Sequence, residues 1–247
     1  MTLGGNPPAK PGSAVVPPAL SNVRFTIADF NAVPAHSRGR KRQSTSGRDA
    51  RAPSPLAKTM RLGVVADTHG YFDPCLREML AGVDAILHGG DVGSPEILDE
   101  LRQIAPVHAV RGNVDSPELN LPLSLTLNLT WLQVEIVHIL SVPQSDLGKW
   151  AGLASRKGKP PQRRERFLKT FSESTGAVVF GHSHAPCLVN LGGILFFNPG
   201  SAGKKRFSLP RTCGLLEIFP DHLQATIKPL ERYNGKLPER IRLEFDE

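Results

Sequence analysis

The chain is poor in cysteine. Its 247 residues hold three, Cys75, Cys187 and Cys213, an odd number, far apart and without CxxC spacing. That pattern excludes a disulfide framework and a thiolate-held zinc cluster, and a reducing, cytoplasmic setting is the expectation. No run approaches 18 apolar residues and no compact apolar segment stands near the start, so neither a membrane span, a membrane partner nor a secretory signal is expected. Aromatic residues make up 6% of the chain. They are too few to interleave with basic residues as stacking platforms, which leaves nucleic acid unsupported as a partner.

What is present is a chain with 40% hydrophobic residues, enough to bury the core of one ordinary domain. The net charge of +7 is confined to one end: residues 1–59 hold nine Lys and Arg against Asp29 and Asp49, whereas the remainder holds 21 basic and 21 acidic residues. The same 59 residues carry eight of the 22 prolines and no sustained periodicity, and are read as a disordered extension. A targeting peptide, a nucleic-acid-binding tail on Arg38–Arg42, and an upstream extension outside the working protein all fit its composition. The last is favoured, because Met60 stands directly before an apolar strand and suits a true start. The working domain is then 60–247.

From Met60 short apolar strands alternate with helical stretches, the signature of an α/β unit with a parallel sheet. Strands at 61–66, 84–88 and 107–111 are separated by helices near 74–81 and 95–104, each opening at a proline. Strand pairs at 123–129 with 132–139, 187–191 with 194–198 and 212–219 with 223–228 read as antiparallel hairpins. A strand at 177–181 and a helix over roughly 161–174 interrupt them. Eight Lys and Arg between Lys149 and Lys169 read as one basic helix, either a solvated surface or a rim facing a nucleotide or RNA.

The chemistry is concentrated where strands end. Asp67-Thr-His69-Gly70, His88-Gly-Gly90-Asp91 and Arg111-Gly112-Asn113-Val-Asp115 each follow an apolar strand, at the edge where open α/β sheets gather ligands. Gly181-His182-Ser-His184 follows another, and two imidazoles at i and i+2 point to one side of an extended backbone and suit metal ligation. His138 ends the strand Val134–Val137. Asn198-Pro-Gly200-Ser201 is a rigid turn whose amides suit an anion, and Lys204-Lys205-Arg206 follows it as candidate grip for a substrate phosphate.

In this order the motifs resemble the calcineurin-like metallophosphoesterases, and more closely the small bacterial and archaeal phosphodiesterase branch that also includes a retromer subunit. The resemblance covers about 60–230 and does not reach the tail. It implies a four-layer αββα sandwich, two mixed β-sheets flanked by helices. It also implies two divalent cations, one held by Asp67, His69, Asp91 and His184, the other by Asp91, Asn113, His138 and His182. A hydroxide bridging them would be the nucleophile, so no side chain is named as catalytic. Manganese is the first choice, with iron, zinc or nickel as alternatives for a mixture of carboxylate, amide oxygen and imidazole. Asp115 and His88 would orient ligands or turns from behind.

The implied activity is hydrolysis of a phosphodiester, a small molecule or a nucleotide. A protein-interaction scaffold and a phosphomonoesterase or protein phosphatase are the other readings. Val114 stands where many relatives carry a histidine that protonates the leaving group, which predicts low turnover on poor leaving groups. Ile139-Leu140 follows His138 where the family has glycine. A rearranged loop there would weaken the second cation site and favour the scaffold.

Overall fold

The computed structural model describes residues 21–23, 59–153, 160–206 and 208–245. Apart from Ser21–Val23, the extension read as disordered lies outside them, as do Arg156, Lys157 and Lys159 of the basic stretch. Ser21–Val23 (β1) is a strand, where the sequence pattern gave none. The domain then runs Met60–Val65 (β2), Cys75–Met79 (α1), Ala85–His88 (β3), Pro95–Arg102 (α2), Val107–Ala109 (β4), Ser124–Asn128 (β5), Gln133–Val137 (β6), Gln144–Leu153 (α3) and Gln162–Leu168 (α4). Thr175–Val179 (β7), Cys187–Leu191 (β8), Ile194–Asn198 (β9), Thr212–Ile218 (β10), His222–Pro229 (β11) and Ile241–Glu244 (β12) complete it.

The strands form two mixed sheets. One has the order β1-β5-β6-β7-β9-β8, the other β12-β11-β10-β2-β3-β4. β2, β3 and β4 are parallel, as their α1 and α2 crossovers require, and so are β6, β7 and β9. The three predicted hairpins are antiparallel pairs.

The strands are apolar on both faces, and alternation sends each set to a different layer. Leu62, Val64 and Leu87 of one sheet meet Ile136, Val179 and Phe197 of the other in a core between the sheets. The opposite parity, Val65, Ile86 and Leu215, packs against Leu76 and Leu80 around α1 and against Ile97, Leu98 and Leu101 of α2. On the far side, Val178 and Phe196 pack against Leu147 and Trp150 of α3 and Phe167 of α4. The result is helices, sheet, sheet, helices: the four-layer sandwich that the resemblance implied. Fully burying each such side chain is worth about 1.5–3 kcal/mol, so the three apolar seams supply the main driving force for the layering.

Three details differ from the sequence reading. The basic stretch is not one helix: α3 begins at Gln144 and α4 at Gln162. The predicted helix over 161–174 ends at Leu168, because Thr170 Oγ1 donates to the Phe167 carbonyl at 2.7 Å and the chain turns there. β12 was not expected, since its residues alternate between partly buried and exposed and only its pairing with β11 makes it a strand. Among the described residues no helix is long and apolar enough to cross a membrane.

Candidate metal centre

The parallel strands of both sheets end at one edge, and the loops leaving them are tied to each other by backbone hydrogen bonds. Asp67, His69 and Gly70 amides donate to the Gly90, Asp91 and Val92 carbonyls at 3.0, 2.9 and 2.8 Å. Gly181 donates to His138 at 3.1 Å between loops of one sheet, and Ala202 to Ala66 at 3.0 Å joins the loop after β9 to the loop after β2 of the other sheet. Side chains follow from this. Asp67, His69, Asp91, His182 and His184 have positive φ, between 47° and 71°. An extended backbone at these positions was the wrong expectation: the residues are left-handed, Asp67 and His69 still converge on one cluster, and the two imidazoles of His182 and His184 part company. His184 meets His69, with Nε2 atoms 3.1 Å apart, while His182 meets His138, ring centroids 5.3 Å apart.

Two groups of atoms result. His69 Nε2 and His184 Nε2 lie 3.8 Å from Asp91 Oδ2 and 3.5 Å from Asp67 Oδ1 respectively. On the other side, Asn113 Oδ1 is 2.9 Å from both His138 Nε2 and His182 Nδ1, and His138 Nε2 is 3.3 Å from Asp91 Oδ1. The seven residues predicted as ligands are thus brought together, in the two sets expected, with the oxygens of Asp91 facing one set each. His138 is buried in that cluster, so Ile139 does not carry it out of the site.

The donor chemistry fits a cation. His138 Nδ1 lies 2.8 Å from the Gly89 carbonyl, which only accepts, so Nδ1 donates there and Nε2 is the ring atom turned to Asn113 Oδ1 and Asp91 Oδ1. Two oxygens that only accept thus converge 2.9–3.3 Å from Nε2, which satisfies them as a donor when the ring is charged and, when it is neutral, offers its lone pair to a cation in common with them. Spans of this size are what atoms about 2.0–2.2 Å from a common ion show. The ionisation equilibria tell the same story. Burial pushes the Asp67 carboxyl up to about 7, although the imidazole of His138 pulls the other way. Burial also opposes charge on Asp91, but hydrogen bonds from His138 and the Val114 amide outweigh it and hold that carboxyl at about 2. Burial lowers His69, and lowers His184 to about 4. On His138 burial loses to the pull of Asp91 and of the Gly89 carbonyl, and its pKa rises. A proton held there does part of what a metal ion would do.

Glycine is dictated by contact at two points. A Cβ at Gly112 would lie 2.0 Å from Asp91 Oδ1, and one at Gly90, where φ is 90°, would lie 2.6 Å from His138 Nδ1. Asp115 orients turns rather than a ligand: its carboxylate accepts from the amides of Val92, Gly93 and Gly112 at 3.1, 2.7 and 2.8 Å, clamping the loop after β3 to the loop after β4. His88 does the same from beneath. It is fully buried, accepts from the Gly90 amide at 3.2 Å through Nδ1, and faces Thr68 Oγ1 at 3.0 Å through Nε2. Because that hydroxyl donates to the Val92 carbonyl at 3.0 Å, Nε2 of His88 is the donor and the ring is neutral. Burial takes its pKa down to about 4.

The Asn198–Ser201 turn departs from its expected role as an anion cradle. Its Gly200 amide is consumed by Asn198 Oδ1 at 2.9 Å, and Ser201 Oγ donates to the Asp67 carbonyl at 2.8 Å, so the turn props the Asp67 loop. Lys205 departs too, because its ammonium is 3.0 Å from Glu231. Arg206 remains directed at the centre: its charge favours the ionised form of Asp67 and opposes protonation of His69 and His184.

One supporting residue escaped the sequence reading. Gln144, the first residue of α3, accepts from Ser183 Oγ at 2.7 Å and from Asn198 Nδ2 at 3.0 Å, and donates to the Ala185 carbonyl at 3.0 Å. It therefore grips the turn that carries His182 and His184, one imidazole to each set. A lone glutamine after Pro143 gave no motif by which to find it.

Comparison with known proteins agrees with this geometry. Residues 60–220 match the calcineurin-like phosphoesterase superfamily domain, and the chain belongs to that superfamily. It is 32% identical over 186 residues to a probable metallophosphoesterase of Methanocaldococcus jannaschii, covering 71% of this chain and 84% of that one. Identity is 28% over 174 residues to a probable metallophosphoesterase of Methanothermobacter thermautotrophicus, covering 68% and 91%. Among solved structures, the fold is similar to a predicted phosphoesterase of Streptococcus pneumoniae (TM-score 0.52, 22% identity, 76% of this chain and 99% of that one). It is also similar to Vps29 of Entamoeba histolytica in complex with Zn2+ (TM-score 0.54, 22% identity, 76% and 100%).

Two outcomes follow. Unfolded His88 takes up a proton below its ordinary pKa of 6.5 and folded His88 resists until about 4, so its contribution is complete above pH 6.5 and is lost as pH falls through that window. Denaturant titrations from pH 7 to 4 on chelated protein should show His88→Gln with a flatter profile, by about one proton and on the order of 3 kcal/mol in total. Equal slopes would contradict the neutral, buried ring. Gln144→Ala should weaken divalent-cation binding about 10- to 100-fold in calorimetric titrations, as loss of a ligand's support commonly does, with Gln144→Glu in between because it keeps the acceptor.

Proposed function

We propose that the protein is a metal-dependent phosphodiesterase working with two divalent cations, manganese first among the candidates and iron, zinc or nickel next. The observation that carries this reading is the convergence of the Asp91 and Asn113 side-chain oxygens on His138 Nε2, matched by a second cluster of Asp67, His69 and His184 on the other oxygen of Asp91. Cations held between those residues supply a water of lowered pKa and neutralise the charge of the phosphoryl group.

The chain's own residues account for the rest. Asp91 spans both sets and fixes their separation. Arg206, which makes no ion pair among the described residues, draws a phosphoryl oxygen towards the Asp67 side. Water adds at phosphorus as the opposite P–O bond breaks. At the place where a leaving oxygen would look for a proton stands Val114, 59% exposed, its amide committed to Asp91 Oδ1 at 3.1 Å. Its side chain has no proton to give, so the leaving group departs as its anion. Diesters, which carry one negative charge fewer than monoesters and rely less on such help, suit a site of this kind.

The full chain, stripped by chelation, should be inactive on bis(4-nitrophenyl) phosphate and recover with manganese, faster than on 4-nitrophenyl phosphate. Asp91→Asn should lose about 100-fold or more, the scale of removing a charge-stabilising group. Folded protein with no turnover in manganese, iron, zinc or nickel would sink the proposal. Val114→His should raise kcat/KM on alkyl diesters with poor leaving groups by about 10- to 100-fold and leave nitrophenyl diesters little changed, as a general acid placed there would. A uniform effect on both substrate types would mean that position 114 does not face the leaving oxygen.

A further inference from the structure

The cleft is chemically lopsided. Among the described residues four large apolar side chains are exposed, and two of them, Val114 at 59% and Ile139 at 51%, immediately follow residues of one set, Asn113 and His138. Those neighbours touch, Asn113 Oδ1 to His138 Nε2 at 2.9 Å, so Val114 and Ile139 each leave the centre one residue beyond that contact. A third, Leu123 at 45%, follows Pro122, whose carbonyl accepts from the Arg111 amide at 2.7 Å in the loop that carries Val114. Each is held in place. The Val114 amide is fixed by Asp91, and Ile139 follows a histidine anchored at both ring nitrogens. Isolated exposed apolar residues need no explanation, but a pair on adjoining rims of a polar cleft does.

The opposite half is cationic. Lys204 and Arg206 are exposed there, on the loop whose Gly203 amide bonds the Asp67 carbonyl at 3.2 Å. Arg211 ties this loop down: its Nε donates to the Gly203 carbonyl at 2.7 Å and its guanidinium pairs with Asp73. The polarity of the two rims is therefore built into braced loops.

We propose that the site selects phosphodiesters with an apolar ester arm, aryl or branched alkyl, seated over Val114 and Ile139, while the phosphate charge is turned to the Arg206 side. The inference deepens the phosphodiesterase reading and rests on it for the position of the phosphate. A diester of small polar alcohols leaves both apolar rims in water. An aryl arm covers them, and contact of this extent discriminates by roughly 10- to 100-fold.

The test compares binding of diphenyl phosphate and dimethyl phosphate to the manganese-loaded full chain by calorimetry. The two anions share charge and phosphate and differ only in their arms. Diphenyl phosphate should bind about 10-fold or more tighter. The double variant Val114→Ser, Ile139→Ser should shrink the ratio to about 3 or less at unchanged manganese stoichiometry. Val114→Thr with Ile139→Thr, which keeps the branched shape, serves if the serine variant does not hold its metal. Arg206→Gln should weaken both ligands alike. Equal affinities in the wild type, or a preference that survives the double variant, overturn the seat. Discrimination without hydrolysis of bis(4-nitrophenyl) phosphate would leave the seat standing and remove the phosphodiesterase reading, whereas hydrolysis without discrimination would do the reverse.

Discussion

The structure turns on the convergence of the Asp91 and Asn113 oxygens on His138 Nε2. In water such groups would each find a donor. Here the Asp91 and Asn113 oxygens are drawn within 2.9–3.3 Å of His138 Nε2 with Asp91 and His138 buried, and only a positive charge, a proton on His138 or a cation, reconciles them. The buried carboxylate of Asp67, lifted to about 7, adds to that tension. Asp91 is the exception within the group, since its hydrogen bonds keep it ionised at about 2, and this makes its two oxygens the fixed negative point between the two sets.

Five left-handed residues add conformational strain of about 1 kcal/mol or more each. A single sheet with solvent on one face would be poorly placed to enforce that. Two sheets buried on both faces hold the strand ends rigidly, and backbone bonds from Asp67, His69 and Gly70 to the β3 loop extend the parallel ladder past the last regular residues. The side chains of Asp115, His88 and Thr68 complete the bracing below, and Gln144 with Asn198 does so above. Each uses its hydrogen-bonding capacity on backbone or on another brace, and none turns it towards the cleft. The strain is local, and its support is distributed over elements from both sheets and from one outer helix.

How much of this was legible follows from where each signal resides. The parallel strands and their polar ends were readable, because apolar runs terminated by Gly-flanked Asp, Asn and His carry their meaning in consecutive residues. The hairpins were readable for the same reason. What the chain order concealed was conformational and long-range. Nothing in Asp67-Thr-His69 or His182-Ser-His184 announces positive φ, so the alternation argument paired imidazoles that the structure separates. Gln144 acts across 39–54 residues on Ser183, Ala185 and Asn198, and its role exists only once α3 is docked through Leu147 and Trp150. Lys205 and Arg206 are adjacent and alike in sequence, and Glu231 alone distinguishes them by taking Lys205 away.

The two positions where the chain departs from the pattern it resembles, Val114 and Ile139, are therefore better understood together than as two losses. Taken singly, one removes a proton donor and the other threatens a ligand. In the structure the backbone at both positions still serves the cluster, since the Val114 amide bonds Asp91 and the residue before Ile139 remains buried at its ligand position. The side chains at both positions are apolar and exposed. All seven predicted ligands lie together beside these two exposed residues, so an apolar arm over Val114 and Ile139, as proposed above, would be held against the same centre that is proposed to hold the phosphate.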